Sequence, residues 1–262
     1  MNRIVEEVHV SIPFLQLIGE YWSEVLELGI NLEVGLSHQA LDQVSLDEFK
    51  RTADMLLDRG IQMTVHAPFM DLCPGGIDPK MRRTAVQRLI QAIEVASFFK
   101  PKTIVGHLNY EERRYRDQQD QWLANSLETW HLLTVKAQDM GAQLVLENVY
   151  EEDAVMFESF FAAVPLGSVK FCLDVGHRNV WGTKMPLQEW VDRLAPHLGE
   201  LHLHNNDGTW DNHQAVGCGN IDVAGLLAGL AARRIRPVIT LEPHTKDGVM
   251  DSLTYLEGVW PW

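Results

Sequence analysis

At 262 residues, with 46% apolar and 22% charged side chains, the chain has the size and composition of one soluble α/β domain, without the bias of a disordered chain or the apolar runs of a membrane span. Its formal net charge of −14 repels phosphate polyanions and argues against nucleic acid as a partner, whereas carboxylates gathered around a cation would add to such a charge. Three widely spaced cysteines, Cys73, Cys172 and Cys218, and an opening MNRIVEEVHV without a basic segment and apolar core, lead to the expectation of reduced thiols in the cytoplasm.

In chain order, apolar segments of strand length alternate with longer segments of helical period. The predicted strands are VHVSIP (8–13), NLEVGL (31–36), QMTVHAP (62–68), TIVGHL (103–108), QLVLENV (143–149), VKFCLDVGH (169–177), ELHLHN (200–205) and PVITLEPH (237–244). Several are almost continuously apolar, as parallel strands covered on both faces are. Between them, Ser45 followed by Glu48 predicts a capping box, and Pro79, Pro186 and Asp222 mark the first turns of helices. No linker interrupts the series. Eight strand–helix pairs in one domain length predict an α/β fold, a (β/α)8 barrel occupying 1–262 as a single domain, in preference to an open doubly wound sheet.

Strand after strand stays apolar until its last residues and then ends in an ionisable group: Glu33, His66, His107, Glu147, Asp174 with His177, His202 with His204, and Glu242. Singly these have ordinary explanations. A lone His66 or His107 fits a hydrogen-bonded structural group, Glu147 or Glu242 an ion-pair or helix-dipole partner, and Asp174-x-x-His177 an Asx turn. Glu33 and His204 are read as structural. In a parallel barrel, however, the strand ends share one rim, and buried carboxylates and imidazoles converging there need a common partner. A divalent ion supplies one, and a mixed Asp/Glu/His donor set suits Zn2+ or Mn2+ better than Ca2+.

The segments HAPF (66–69), VGH (105–107), LEN (146–148), CLDVGH (172–177), HLHNND (202–207), DNHQAVGCGNID (211–222) and LEP (241–243) resemble the xylose isomerase-like TIM-barrel superfamily over nearly the whole chain. That group includes class IV apurinic/apyrimidinic endonucleases, sugar epimerases and sugar phosphate isomerase/epimerase-like proteins. The resemblance implies four shared ligands, Glu147, Asp174, His202 and Glu242, of which Glu147 and Glu242 also transfer protons. It matches five further endonuclease-type ligands to His66, His107, His177, Asp211 and His213, and so implies one to three ions, Zn2+ or Mn2+ rather than Mg2+. Two positions depart from the family's pattern: Asn205 stands where a carboxylate is usual, and Cys218, between two glycines, where a Glu is usual.

After His107 comes the basic stretch NYEERRYR (109–116), with Arg82 and Arg83 on the preceding segment. It reads either as a solvated helix start or as a phosphate clamp formed by Arg113, Arg114 and Arg116. Trp181, Trp210 and Tyr150 follow predicted strands, where aromatic faces stack on a sugar ring or pack as a lid. Phe69 and Met70 read as lid or core, not as a DNA wedge, and the loop SHQALDQVSLDEF (37–49) has no Lys or Arg with which to grip DNA. The expected function is therefore a divalent-metal-dependent isomerase or epimerase of a sugar or sugar phosphate. An endonuclease IV-like phosphodiesterase and a catalytically silent, metal-stabilised barrel are the alternatives. The expected partner is a small carbohydrate, with no membrane, nucleic acid disfavoured and a homo-oligomer left open.

Overall fold

Eight parallel strands, β1 (His9–Pro13), β2 (Asn31–Gly35), β3 (Met63–His66), β4 (Thr103–His107), β5 (Gln143–Glu147), β6 (Lys170–Asp174), β7 (Leu198–Leu203) and β8 (Val238–Leu241), close into a barrel in sequence order. The structure is a computed structural model describing residues 3–262, and β8 pairs back onto β1 to complete the ring. This is the (β/α)8 architecture expected from the alternation, in a single domain. The apolar runs are explained by coverage on both faces: every residue of β4 is buried. Between strands and outer helices lie several of the largest fully buried side chains: Trp130 against β4, and Phe157 and Trp190 against Phe171 of β6. Gly106 permits one of these contacts, since a Cβ there would fall 2.7 Å from the Trp130 ring.

Helix starts follow the expected chemistry with three corrections. Ser45 Oγ accepts from the Glu48 backbone N–H at 3.2 Å, but the Glu48 carboxylate turns to Arg51, so only half of the capping box forms. Pro186 stands at the cap of the helix Leu187–Leu194, one residue outside its first turn. Asp78 caps the helix that Pro79 opens, and Asp222, like Pro186, stands at the cap of its helix, Val223–Ala232, and not in the first turn, its Oδ1 accepting from Gly225 N–H at 2.9 Å.

The strand ends set up the site. β6 stops at Asp174 instead of running to residue 177, because Asp174 Oδ1 accepts from the His177 backbone N–H at 2.6 Å and starts the helix Val175–Val180. The side chain that was read as an Asx turn thus caps a helix and brings His177 back beside Glu147. Similarly, β8 ends at Leu241 and leaves Glu242 as the first residue beyond the ladder. Parallel register then sets His107 opposite Glu147 and Asp174 opposite His202. Among the described residues, no helix is long and apolar enough to cross a membrane.

Candidate metal centre

Three donor atoms form a near-equilateral triangle at the ends of β3, β4 and β5. His66 Nε2 and His107 Nε2 each lie 3.1 Å from Glu147 Oε2, and 3.1 Å from one another. His66 Nδ1 donates to the carbonyl of Ala67 at 2.8 Å, so in the neutral ring its Nε2 carries a lone pair, aimed at another ring and a carboxylate. Such acceptors repel unless a cation or a proton sits among them. Donors bound about 2 Å from one ion lie roughly 3 to 3.4 Å apart, so the triangle has the dimensions of three ligands on a common metal.

His202 presents a second convergence. Its Nδ1 lies 3.3 Å from Glu242 Oε1, 3.5 Å from Glu147 Oε2 and 3.9 Å from Asp174 Oδ2. The ring is fully buried, and neither nitrogen has a hydrogen bond of ordinary geometry. An imidazole nitrogen ringed by three carboxylates and hydrogen-bonded to none of them is a donor set suited to a divalent cation.

A third group lies towards the loop after β7. Asp211 Oδ2 is 3.0 Å from His213 Nε2 and 3.4 Å from His177 Nε2, and donor atoms of His177, His204, Asp211 and His213 all lie within 4.8 Å of one another. His213 Nδ1 donates to the Glu242 carbonyl at 2.8 Å, which turns the other nitrogen inward. The His213 backbone is left-handed, φ 45°, a costly conformation for a non-glycine residue that is held where the side chain must reach the cluster. Glu147 joins the three groups, because its second oxygen, Oε1, is 3.0 Å from His177 Nδ1.

Without metal, protons must provide the positive charge. Burial lowers the pKa of His66, but hydrogen bonding and charge from Glu147 outweigh it and raise it to about 9. His213 rises to about 9 as well, burial being outweighed by Asp211 and Glu242. Burial would raise both Glu147 and Glu242, yet the neighbouring histidines, His107 and His202 for the first and His202 for the second, hold both carboxyls well below the usual range. The donors are thus ionised carboxylates facing rings whose protons a metal can displace.

The structure brings together all nine residues that the resemblance named as ligands. The other expected contacts are dispersed. Arg113 lies 3.7 Å from Glu152, Arg116 lies 3.3 Å from Glu112, and the Arg114 guanidinium sits over the Tyr115 ring. Trp181 packs near Tyr150 and His177, ring centroids 5.4 and 5.5 Å away, while Trp210 is 67% exposed. Phe69 stacks on His107 at 4.4 Å, and Met70 points to solvent. Asn205 clamps the loop after β7, its Oδ1 accepting from the Asn206 and Ile221 backbone N–H groups, whereas Cys218 is exposed.

Two groups read as structural from sequence stand close to the centre. His204 Nε2 lies 3.1 and 3.2 Å from the two Asp174 oxygens, and its ring stacks on His213 at 3.7 Å. The i, i+2 spacing of His202 and His204 in the predicted strand 200–205 was the available signal, since it puts both on one face; in the structure His204 is the first residue beyond β7. Glu33, expected at a strand end, is instead the third residue of β2 and lies buried in the barrel interior, 3.3 Å from His202 Nε2. Glu151, not singled out in the sequence, is a buried carboxylate bridging two loops: it accepts from the backbone N–H groups of Tyr110 and Val149, each at 2.8 Å. Burial, opposed by those two bonds, pushes its carboxyl up to about 7.

A family profile described as xylose isomerase-like TIM barrel matches residues 26–259, and the chain belongs to this family. Uncharacterized protein MJ1311 of Methanocaldococcus jannaschii is 27% identical over 188 residues, 70% of this chain and 64% of that protein. MJ1614 of the same organism is 24% identical over 164 residues, 62% of this chain and 63% of that one, so the chain spans just under two thirds of the length of these relatives. Among solved structures, a D-tagatose 3-epimerase-like protein superposes with a TM-score of 0.80 at 21% identity, covering 96% of this chain and 97% of that one. The TTHB071 protein from Thermus thermophilus, in a structure soaked with ZnCl2, gives a TM-score of 0.81 at 23% identity and 97% coverage of both chains. At these identities the structural likeness establishes the fold.

Proposed function

We propose that this protein is a divalent-metal-dependent isomerase or epimerase acting on a sugar or sugar phosphate, with Zn2+ or Mn2+ held by Glu147, Asp174, His202 and Glu242. The observation that carries the reading is the buried His202 Nδ1 surrounded by Glu242, Glu147 and Asp174 at 3.3, 3.5 and 3.9 Å. A bound ion would supply Lewis acidity, gripping adjacent carbonyl and hydroxyl oxygens of a ketose and acidifying the C–H between them. Glu147 and Glu242 reach the same point from β5 and from the end of β8, and both are ionised. One accepts the proton from carbon and the other, once protonated, returns one, which inverts the carbon without net gain or loss of atoms.

Similarity to structures named as sugar epimerases supports this reading. Trp210 and Trp181 offer ring faces for the sugar. Arg113, Arg114 and Arg116 are the groups a phosphorylated substrate would recruit, but Glu152 and Glu112 already pair with the first and last of them. An unphosphorylated ketose is therefore the simpler substrate.

A metal-dependent phosphodiesterase is the second reading, favoured by one observation: His66 and His107 gather beside Glu147, and His177, Asp211 and His213 form a further group, as sites for several ions require. The net charge of −14 and the absence of Lys or Arg from 37–49 weigh against a DNA substrate. The test is to load the protein with Mn2+ or Zn2+ and offer it ketoses, their phosphates and an abasic-site duplex. Inversion at one carbon with incorporation of one solvent deuterium is expected. Strand cleavage at the abasic site with no sugar turnover would overturn the proposal.

A further inference from the structure

We infer that Glu33, at the third position of β2, is a positioning residue that fixes the ring of His202 so that Nδ1 is the metal-binding atom; the inference rests on the metal reading proposed above. His202 divides its surroundings between its two nitrogens. Nδ1 meets the three carboxylates of the candidate centre, whereas Nε2 faces Glu33 Oε2 at 3.3 Å on the interior side. A histidine that binds metal through one nitrogen carries its proton on the other, and that N–H needs an acceptor inside the protein. Glu33 supplies it. The Cys172 thiol, also beside the ring, is a weak acceptor by comparison.

The environment of Glu33 makes it fit for little else. Its carboxylate is completely buried; the same Oε2 accepts from Thr64 Oγ1 at 3.2 Å and shares the single proton of Thr240 Oγ1, 3.4 Å away, with the nearer Glu200 Oε1 at 3.0 Å, while Oε1 has no partner. One hydroxyl and a share of a second are poor compensation for a carboxylate taken wholly out of water. The Thr64 bond holds the carboxylate in place, and the remaining close polar contact of that oxygen is His202. Such an outer carboxylate fixes the tautomer and raises the basicity of the ligating nitrogen, and losing one typically costs about 10- to 100-fold in metal affinity.

The experiment compares zinc affinity, by chelator competition, for the wild type, Glu33→Gln and Glu200→Gln. Glu200 is an equally buried carboxyl of the barrel interior, bonded to Thr240 at 3.0 Å, and its replacement controls for placing an amide there. Glu33→Gln is expected to bind zinc about 10- to 100-fold more weakly, and Glu200→Gln to bind like the wild type. A second measurement needs no variant. In zinc-loaded wild type labelled with 15N-histidine, the His202 ring should show a protonated Nε2 and a metal-bound Nδ1, with the Nε2 proton protected from exchange. Equal affinities for wild type and Glu33→Gln, or an Nδ1-protonated His202, overturn the inference while leaving the metal site standing. Failure of the wild type itself to bind zinc overturns both.

Discussion

Glu147 gives one oxygen to His66 and His107 and the other to His177, so this single buried side chain ties together three donor groups. Glu147→Gln preserves shape and removes the charge. It is expected to lower metal occupancy by at least one equivalent and abolish turnover while the circular dichroism spectrum stays native; unchanged metal content with unchanged turnover sinks the assignment. A residue away from the rim contributes to acid stability. His9 opens β1, and burial, assisted by Lys102 and opposed by Glu33 and the Ile239 carbonyl, lowers its pKa from 6.5 to about 4. The folded state thus holds the ring neutral under conditions in which the unfolded chain takes up a proton. Its contribution is fully present above pH 6.5 and is lost as the pH falls to about 4. The loss is on the order of 3 kcal/mol at most. Urea unfolding at pH 7 and pH 4.5 should show a smaller acid loss for His9→Leu than for the wild type; parallel losses in both proteins would remove His9 from the account.

Strands and loops hold the donors with different rigidity. Glu147 and His202 sit on ladder residues paired on both sides, and Asp174 is paired with His202 on one side and clamped by the Asn148 side chain on the other, with Glu242 one residue beyond β8, whereas Asp211 and His213 belong to the loop after β7, and His177 to a six-residue helix. Nine side chains exceed the coordination of any one tetrahedral or octahedral ion. At least one further ion is therefore expected to bind at His177, Asp211 and His213, more weakly than at the strand-borne site, because a loop must be ordered to form it. Calorimetric zinc titration should give more than one equivalent for the wild type and one fewer for the double variant His177→Ala/His213→Ala. One equivalent in both proteins assigns these residues to substrate or structure. The contrast also marks what was legible in the sequence. Strand ends announce themselves, since an apolar run with an ionisable residue near its end is conspicuous; seven of the eight predicted strands carry one, whereas VHVSIP (8–13) ends in Pro13, and the barrel was legible from the alternation of strand and helix lengths. Asp174 showed its limit: strand and helix share the run CLDVGH, and only the side-chain cap on the His177 N–H determines where one becomes the other. His204 and Glu33 were hidden for another reason. Each is one more polar residue on an apolar strand, and what it faces across the barrel depends on closure, which no local pattern encodes.

The whole molecule carries a net charge of −14, and part of it, the carboxylates of Glu147, Asp174, Asp211 and Glu242, converges on one rim. Without metal, repulsion among these groups is relieved by protons on the facing histidines. Since the pKa values of His66 and His213 are raised from 6.5 to about 9, their contribution to the stability of the metal-free protein is fully present below pH 6.5 and is lost as the pH rises through about 9. Bound metal removes that dependence, because it displaces those same protons and binds more tightly as the pH rises. An ion present at 100 times its dissociation constant stabilises the fold by about 2.7 kcal/mol, and for a chain of this size each kcal/mol moves Tm by about 2 to 4 °C. Chelation should therefore lower Tm by roughly 5 to 10 °C near neutral pH. The drop should grow between pH 6 and pH 9 as the protons that substitute for metal are lost. Differential scanning fluorimetry with and without EDTA across that range tests it. A chelator effect that is absent, or that shrinks towards alkaline pH, would mean that the rim is stabilised by its own hydrogen bonds and that its carboxylates are not held for a cation.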